Sequence, residues 1–167
     1  MKRILLLMSV FSPCLMASTA MVNVPIKGTI TSSTCSFMAD TVVNFGSVTA
    51  LDINNNTVPE KDINMKIDCD WKATNMKLSF IPRAIVVGDN KTMQSGLAGV
   101  GFKLPLLQWL GLQNLSFNTE HTLPVTEIPN GGGTKALRLK IKPVAIPSEN
   151  IAIGNIDTTL IIRLSYD

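Results

Sequence analysis

The sequence predicts an all-β domain, and three observations carry that prediction. Short segments alternate apolar and polar residues with the period of a strand. Clusters of Asn, Asp, Gly and Pro separate them, as turns require. No stretch sustains a helical period with caps at both ends. Many short strands divided by turn signals indicate a sandwich or a barrel.

In chain order the candidate strands are Val22–Thr31, Thr41–Val48, Ile63–Cys69, Met76–Ile81, Gly99–Leu104, Leu115–Leu123, Thr134–Val144 and Thr158–Tyr166. In the first, Val22, Val24, Ile26, Gly28 and Ile30 share one face, and Pro25 removes one backbone donor. The strongest alternations are Ile63/Met65/Ile67/Cys69 and Leu137/Leu139/Ile141. Turns are expected at Asp52–Asn56, Gly88–Asn90 and Pro129–Gly133, and another connection over Pro147–Asn155. Leu104–Leu112 is apolar but ambiguous, because Pro105 argues against a regular central strand. In the last strand Leu160, Ile162, Leu164 and Tyr166 share one face. The two ends of the chain therefore match. A strand at an extreme terminus is a candidate for an unpaired edge, and such edges invite another chain to add a strand.

Residues 1–20 read as a secretion signal. Lys2 and Arg3 give the positive start, and Ile4–Phe11 is an apolar run too short to span a bilayer. Small residues at Ser18 and Ala20 place cleavage after Ala20, with Ala17 as the other candidate. The expected mature domain is 21–167, with no membrane span once the signal is removed. Its size is that of one domain with a core of its own. The full chain has 15 Lys and Arg against 12 Asp and Glu. Losing Lys2 and Arg3 brings the mature chain to about +1, with no basic stripe interleaved with aromatics, so no nucleic-acid partner is expected.

Cys14 leaves with the signal, so Cys35 and Cys69 remain. In an oxidising compartment they are expected to pair, two free buried thiols being the alternative. The loop so closed would stabilise the fold by roughly 3–4 kcal/mol in the chain-entropy model. Two cysteines and a distant histidine do not make a zinc ligand set. The catalytic inventory is otherwise bare, and no enzyme and no cofactor are expected. His121 lies in a polar stretch and reads as solvent-facing. Asp68 and Asp70 read as outward-facing neighbours of an inward cysteine rather than calcium ligands. The run Gly131–Gly133 reads as a flexible turn, not a phosphate cradle.

Several pieces together resemble one family. They are Ile26-Lys27-Gly28-Thr29-Ile30 leading into Cys35, then Val43-Asn44-Phe45-Gly46-Ser47-Val48, then Asn64-Met65-Lys66-Ile67-Asp68-Cys69, and Tyr166 as the penultimate residue of an alternating strand. The chain resembles the pilin-type subunits of chaperone–usher fimbriae, most closely the minor tip or adaptor subunits of P and type 1 pili. The match is best at the ends and loose from about Ala84 to Asn130. The resemblance implies an immunoglobulin-like sandwich that lacks its last strand, completed by a donated one. It implies a periplasmic chaperone, an outer-membrane usher and neighbouring subunits as partners, and export through the periplasm to the surface fimbrium.

It further implies a donor strand in Val22, Val24, Ile26, Gly28 and Ile30 (within 21–31), an acceptor groove and chaperone contact at Leu160, Ile162, Leu164 and Tyr166, and a disulfide between Cys35 and Cys69. An ordinary first strand completing its own sandwich is the alternative for Val22–Ile30. Cleavage after Ala20 leaves only Met21–Lys27 ahead of Gly28, a short donor arm that fits a specialised position. Two other functions compete with a structural subunit. One is a single-domain adhesin binding through Leu104–Leu112 and Trp109. The other is a secreted β-sandwich carrier or enzyme.

Overall fold

The computed structural model describes residues 35–108, 111–123, 128, 131–147 and 149–167. Residues 1–20, read as a signal, Val22–Ile30 and Trp109 lie outside them. Eleven strands and one short helix make up the described part: β1 (Cys35–Ala39), α1 (Ala50–Asn54), β2 (Lys61–Cys69), β3 (Lys77–Pro82), β4 (Ile85–Val86), β5 (Asp89–Gln94), β6 (Val100–Lys103), β7 (Leu106–Gln108), β8 (Leu112–Gln113), β9 (Glu120–Thr122), β10 (Gly133–Ala145) and β11 (Leu160–Ser165). All strand pairs are antiparallel. One sheet runs β1-β2-β10-β6-β5-β4, with the β7–β8 hairpin also joined to β10; the other runs β11-β3-β9.

Between the sheets lies one core. Ile67, Leu78, Phe80, Leu107 and Leu139 are fully buried there. The alternation predicted for β2 and β10 is what delivers it: Ile63, Met65, Ile67 and Cys69 point inward from β2, and Leu137, Leu139 and Ile141 from β10. Each such side chain contributes roughly 1.5–3 kcal/mol of transfer free energy. β10 is long enough to change partners. It pairs with β2 up to Ile141↔Lys61 and with β6 from Lys142 onward. Pro143 sits just past the change. The Ile146 amide donates to the Gly99 carbonyl at 2.9 Å. Alternation along the ladder then turns the Pro143 nitrogen away from β6, toward the side where β2 has already ended, so the missing N–H interrupts neither ladder.

The structure departs from the sequence reading in several places. Thr41–Val48 is not a strand. Asp40 Oδ2 takes the Asn64 amide at 2.8 Å, replacing the next ladder carbonyl. Gly46 then turns with φ +67, its N–H donating to Asn44 Oδ1 at 2.7 Å. The alternation still sorts the faces, because Val43 and Phe45 pack on the core. The cluster read as a turn at Asp52–Asn56 is a turn only at Asn55 and Asn56; Asp52–Asn54 belong to α1, whose five residues are too few to show a period. Thr49 caps it, its hydroxyl accepting from the Asp52 amide at 3.1 Å while Asp52 Oδ2 accepts from the Thr49 amide at 3.3 Å, a capping box. The strand expected over Leu115–Leu123 shrinks to β9, because Asn118 adopts φ +57 and breaks the extended run. Gly88–Asn90 is only partly a turn: Asp89 opens β5, and Val87-Gly88 alone form the hairpin loop. β1 itself was unmarked by any alternation long enough to read.

A second, smaller cluster lies beside α1. Ile53, Val58 and Val100 are buried there, with Val48, Leu97, Ala145 and Ile151 around them. Phe45 borders both clusters, its ring centroid 5.5 Å from that of Phe102.

Gly131–Gly133 is more than a flexible turn. A Cβ on Gly132, whose φ is +83, would lie 2.5 Å from the Cys69 carbonyl oxygen and 2.8 Å from the Asp70 backbone. The bend into β10 needs a residue without a side chain, pressed against the end of β2. Gly132→Ala is expected to lose about 2 kcal/mol or more, from clash and left-handed strain together. Denaturant unfolding of the exported protein measures it, and an unchanged midpoint would show that the bend relaxes freely. At the same strand end Cys35 and Cys69 are disulfide-bonded across the β1–β2 register. Replacing both with Ser is expected to lower stability by roughly 3–4 kcal/mol. The same titration checks this against the oxidised parent.

Candidate functional site: the open side between β1 and β11

The two sheets end on the same side of the core in β1 and β11, and each pairs with a described strand along one edge only. The direction of their backbone groups follows from single hydrogen bonds. The Asp40 amide donates to the Asn64 carbonyl at 3.0 Å, so in β1 the even-numbered residues face β2. Cys35, Phe37 and Ala39 therefore aim their N–H and C=O groups away from it. The Arg83 amide donates to the Thr159 carbonyl at 3.3 Å, so in β11 Ile161, Arg163 and Ser165 face β3. Leu160, Ile162 and Leu164 aim their backbone groups outward.

The residues with outward-aimed backbone are the same ones whose side chains face the core. Cys35, Phe37, Ala39, Val43 and Phe45 from one wall, and Leu160, Ile162, Leu164 and Tyr166 from the other, are only partly buried while packed on the central cluster. Between the walls the core thus meets an apolar floor bordered by two rows of backbone donors and acceptors. That combination fits an extended strand, whose alternate side chains would enter the floor while its backbone pairs with both walls.

At one end the walls are joined. The Cys35 amide donates to the Tyr166 phenolic oxygen at 2.9 Å. The end of the chain is held as well: Asp167 and Thr74 exchange backbone hydrogen bonds of 2.9 and 3.0 Å, and Asn75 Nδ2 donates to Asp167 Oδ2 at 2.8 Å.

The residues named from sequence thus divide. Leu160, Ile162, Leu164 and Tyr166 share the core-facing side of β11, and Cys35 and Cys69 are bonded. Val22, Val24, Ile26, Gly28 and Ile30 lie outside the described residues. The opposite wall, Phe37, Ala39, Val43 and Phe45, was not named. Its signal was present in the spacing of those residues, split across the Asp40 ladder end.

The other polar candidates have local structural roles. His121 is half-buried rather than solvent-facing, with Nε2 2.8 Å from the Ser116 carbonyl and its ring 5.8 Å from that of Phe80. Asp68 accepts from Thr134 Oγ1 at 2.9 Å and from Lys66 Nζ at 3.4 Å. These bonds, the Thr134 one foremost, hold its carboxyl below the usual carboxylate range. Among the described residues no His, Cys, Asp and Glu group could hold a metal ion, and no helix is long and apolar enough to cross a membrane.

Comparison with known proteins agrees with this geometry. The chain is similar to the FanG protein of Escherichia coli, 28% identical over 156 residues that cover 90% of this chain and 87% of that protein. Its fold is similar to the crystal structure of the P pilus rod subunit PapA, with a TM-score of 0.58 at 18% identity, covering 80% of this chain and 99% of PapA. A solved chaperone–usher pilus gives a TM-score of 0.54 at 14% identity, over 93% of this chain and all (100%) of that one. The profile of the fimbrial protein family matches residues 24–167. The chain belongs to the fimbrial protein family, as a structural subunit of a cell-surface pilus and not an enzyme.

Proposed function

We propose that this chain is a minor subunit of a chaperone–usher fimbrium, assembled by donor-strand exchange and supporting surface adhesion. One observation carries the reading. The side chains of β1 and β11 that face the core belong to residues whose backbone groups face the gap. Left empty, such a gap exposes apolar surface and strand edges together, the combination that leads to aggregation.

A periplasmic chaperone covers the gap first, and at the usher the N-terminal arm of a neighbouring subunit replaces it. Residues 1–20 are removed on export, and 21–31, with Val22, Val24, Ile26, Gly28 and Ile30 on one face, form this subunit's own donor arm. The short arm before Gly28 supports a specialised place in the fibre. Quantitative mass spectrometry of sheared fimbriae checks that place: a small fraction of the major subunit is expected, and equal abundance would remove the minor role.

Two experiments address assembly itself. Ile162 sits at the centre of the β11 wall, so Ile162→Asp places an unpaired charge against the core, at a cost of several kcal/mol. Loss of chaperone co-purification and periplasmic degradation are expected, whereas parental levels and normal incorporation would show that this wall is not the contact. In the second, a neighbour's donor peptide is fused after Asp167 through a flexible linker, giving roughly millimolar effective concentration. Soluble yield and thermal midpoint without chaperone are expected to rise. A stable, cooperatively folding monomer with neither chaperone nor added strand would sink the donor-strand reading.

A further inference from the structure

The two ends of the open side are built differently. At the Tyr166 end the walls are tied by the phenol–amide hydrogen bond of 2.9 Å, and Asp167 is fixed to Thr74 and Asn75. At the Leu160 end β11 is preceded by a stretch without strand, in which Ile153 is wholly exposed. The tie also uses a particular group. The Cys35 N–H is the first outward-aimed donor of β1, one that a strand added along this wall would otherwise take.

Resting on the donor-strand reading, we propose that Tyr166 is a positioning residue that ends the groove: by occupying the Cys35 amide, it fixes how far an added strand can pair along β1. A strand growing toward this end meets outward-aimed backbone groups at Ala39 and Phe37, then an amide already satisfied. To advance it must displace the phenol. That leaves a partly buried hydroxyl without its donor. The register of the occupant is thereby set from the tied end, and its length is limited there. An untied groove of alternating apolar residues would admit shifts of two residues, which keep the same side chains inward.

The test is a length series. Peptides of a neighbouring subunit's donor arm, extended two residues at a time by Thr-Val pairs at one terminus or the other, are refolded with the exported chain after release from its chaperone. In the parent, the thermal midpoint is expected to rise with each added pair. It then levels off once the strand reaches Tyr166, in the series that grows toward that end. Tyr166→Phe keeps the ring and frees the amide, and its series is expected to gain one further step of similar size. Identical plateaus in the two proteins would overturn the proposal. Failure of every peptide to raise either midpoint would instead overturn the donor-strand reading beneath it.

Should Tyr166→Phe not fold, amide exchange in the parent decides. Protection of the Cys35 N–H with the shortest peptide bound is expected, because the phenol already holds it. Protection that arrives only with the longest peptide would overturn the assignment. Tyr166 is the only tyrosine of the chain, so a labelled tyrosine ring reports this contact alone.

Discussion

The pairing of β1 with β2 is the constraint on which the open side depends. β1 is five residues long and has one described neighbour. A strand that short, held along one edge, has little stability of its own. The disulfide fixes its first residue opposite the last residue of β2, and Asp40 fixes the other end by taking the Asn64 amide. Between these anchors Phe37 and Ala39 are kept facing the core with their backbone groups aimed at the gap. Release of either anchor would leave β11 facing a wall that can swing away.

β11 is held in a different manner. It pairs with β3 along its whole length, from Leu160↔Pro82 to Ser165↔Lys77. Its inward side chains rest on Leu78 and Phe80, which are fully buried. One wall is therefore backed by a continuous ladder and the other by a short ladder and a covalent bond. Both present the same chemistry to the space between them.

How much of this was legible follows the physics of each signal. The alternations in β2, β10 and β11 could be read because a strand buried on one face repeats every two residues over six or more positions. The groove wall on β11 came with them. β1 and the Val43–Phe45 stretch carry the same spacing, but Asp40 divides them and Gly46 turns the chain. Alternation reports which side faces the core, not whether a neighbouring strand is present. β5 could not be read because Asp89, Asn90 and Lys91 are polar, and Met93 is its one large apolar residue in the core. The bend at Gly132 looked flexible since a run of glycines does not reveal the backbone lying against it. The tie between Cys35 and Tyr166 joins residues 131 positions apart, a pairing that only the folded chain brings about.

Phe45 gives the molecule an unexpected internal linkage. Among the described residues it is the one bordering both the central core and the small cluster under α1. The helix and the groove are otherwise separate neighbourhoods, and distant substitutions in such neighbourhoods add independently. A shared ring changes that. Volume altered at Ile53 or Val58 displaces Phe45, and Phe45 is part of the wall an added strand would touch. Sequence drift in the α1 segment is thus felt as a change in groove shape, so the two stretches are expected to co-vary between subunits that accept different partners.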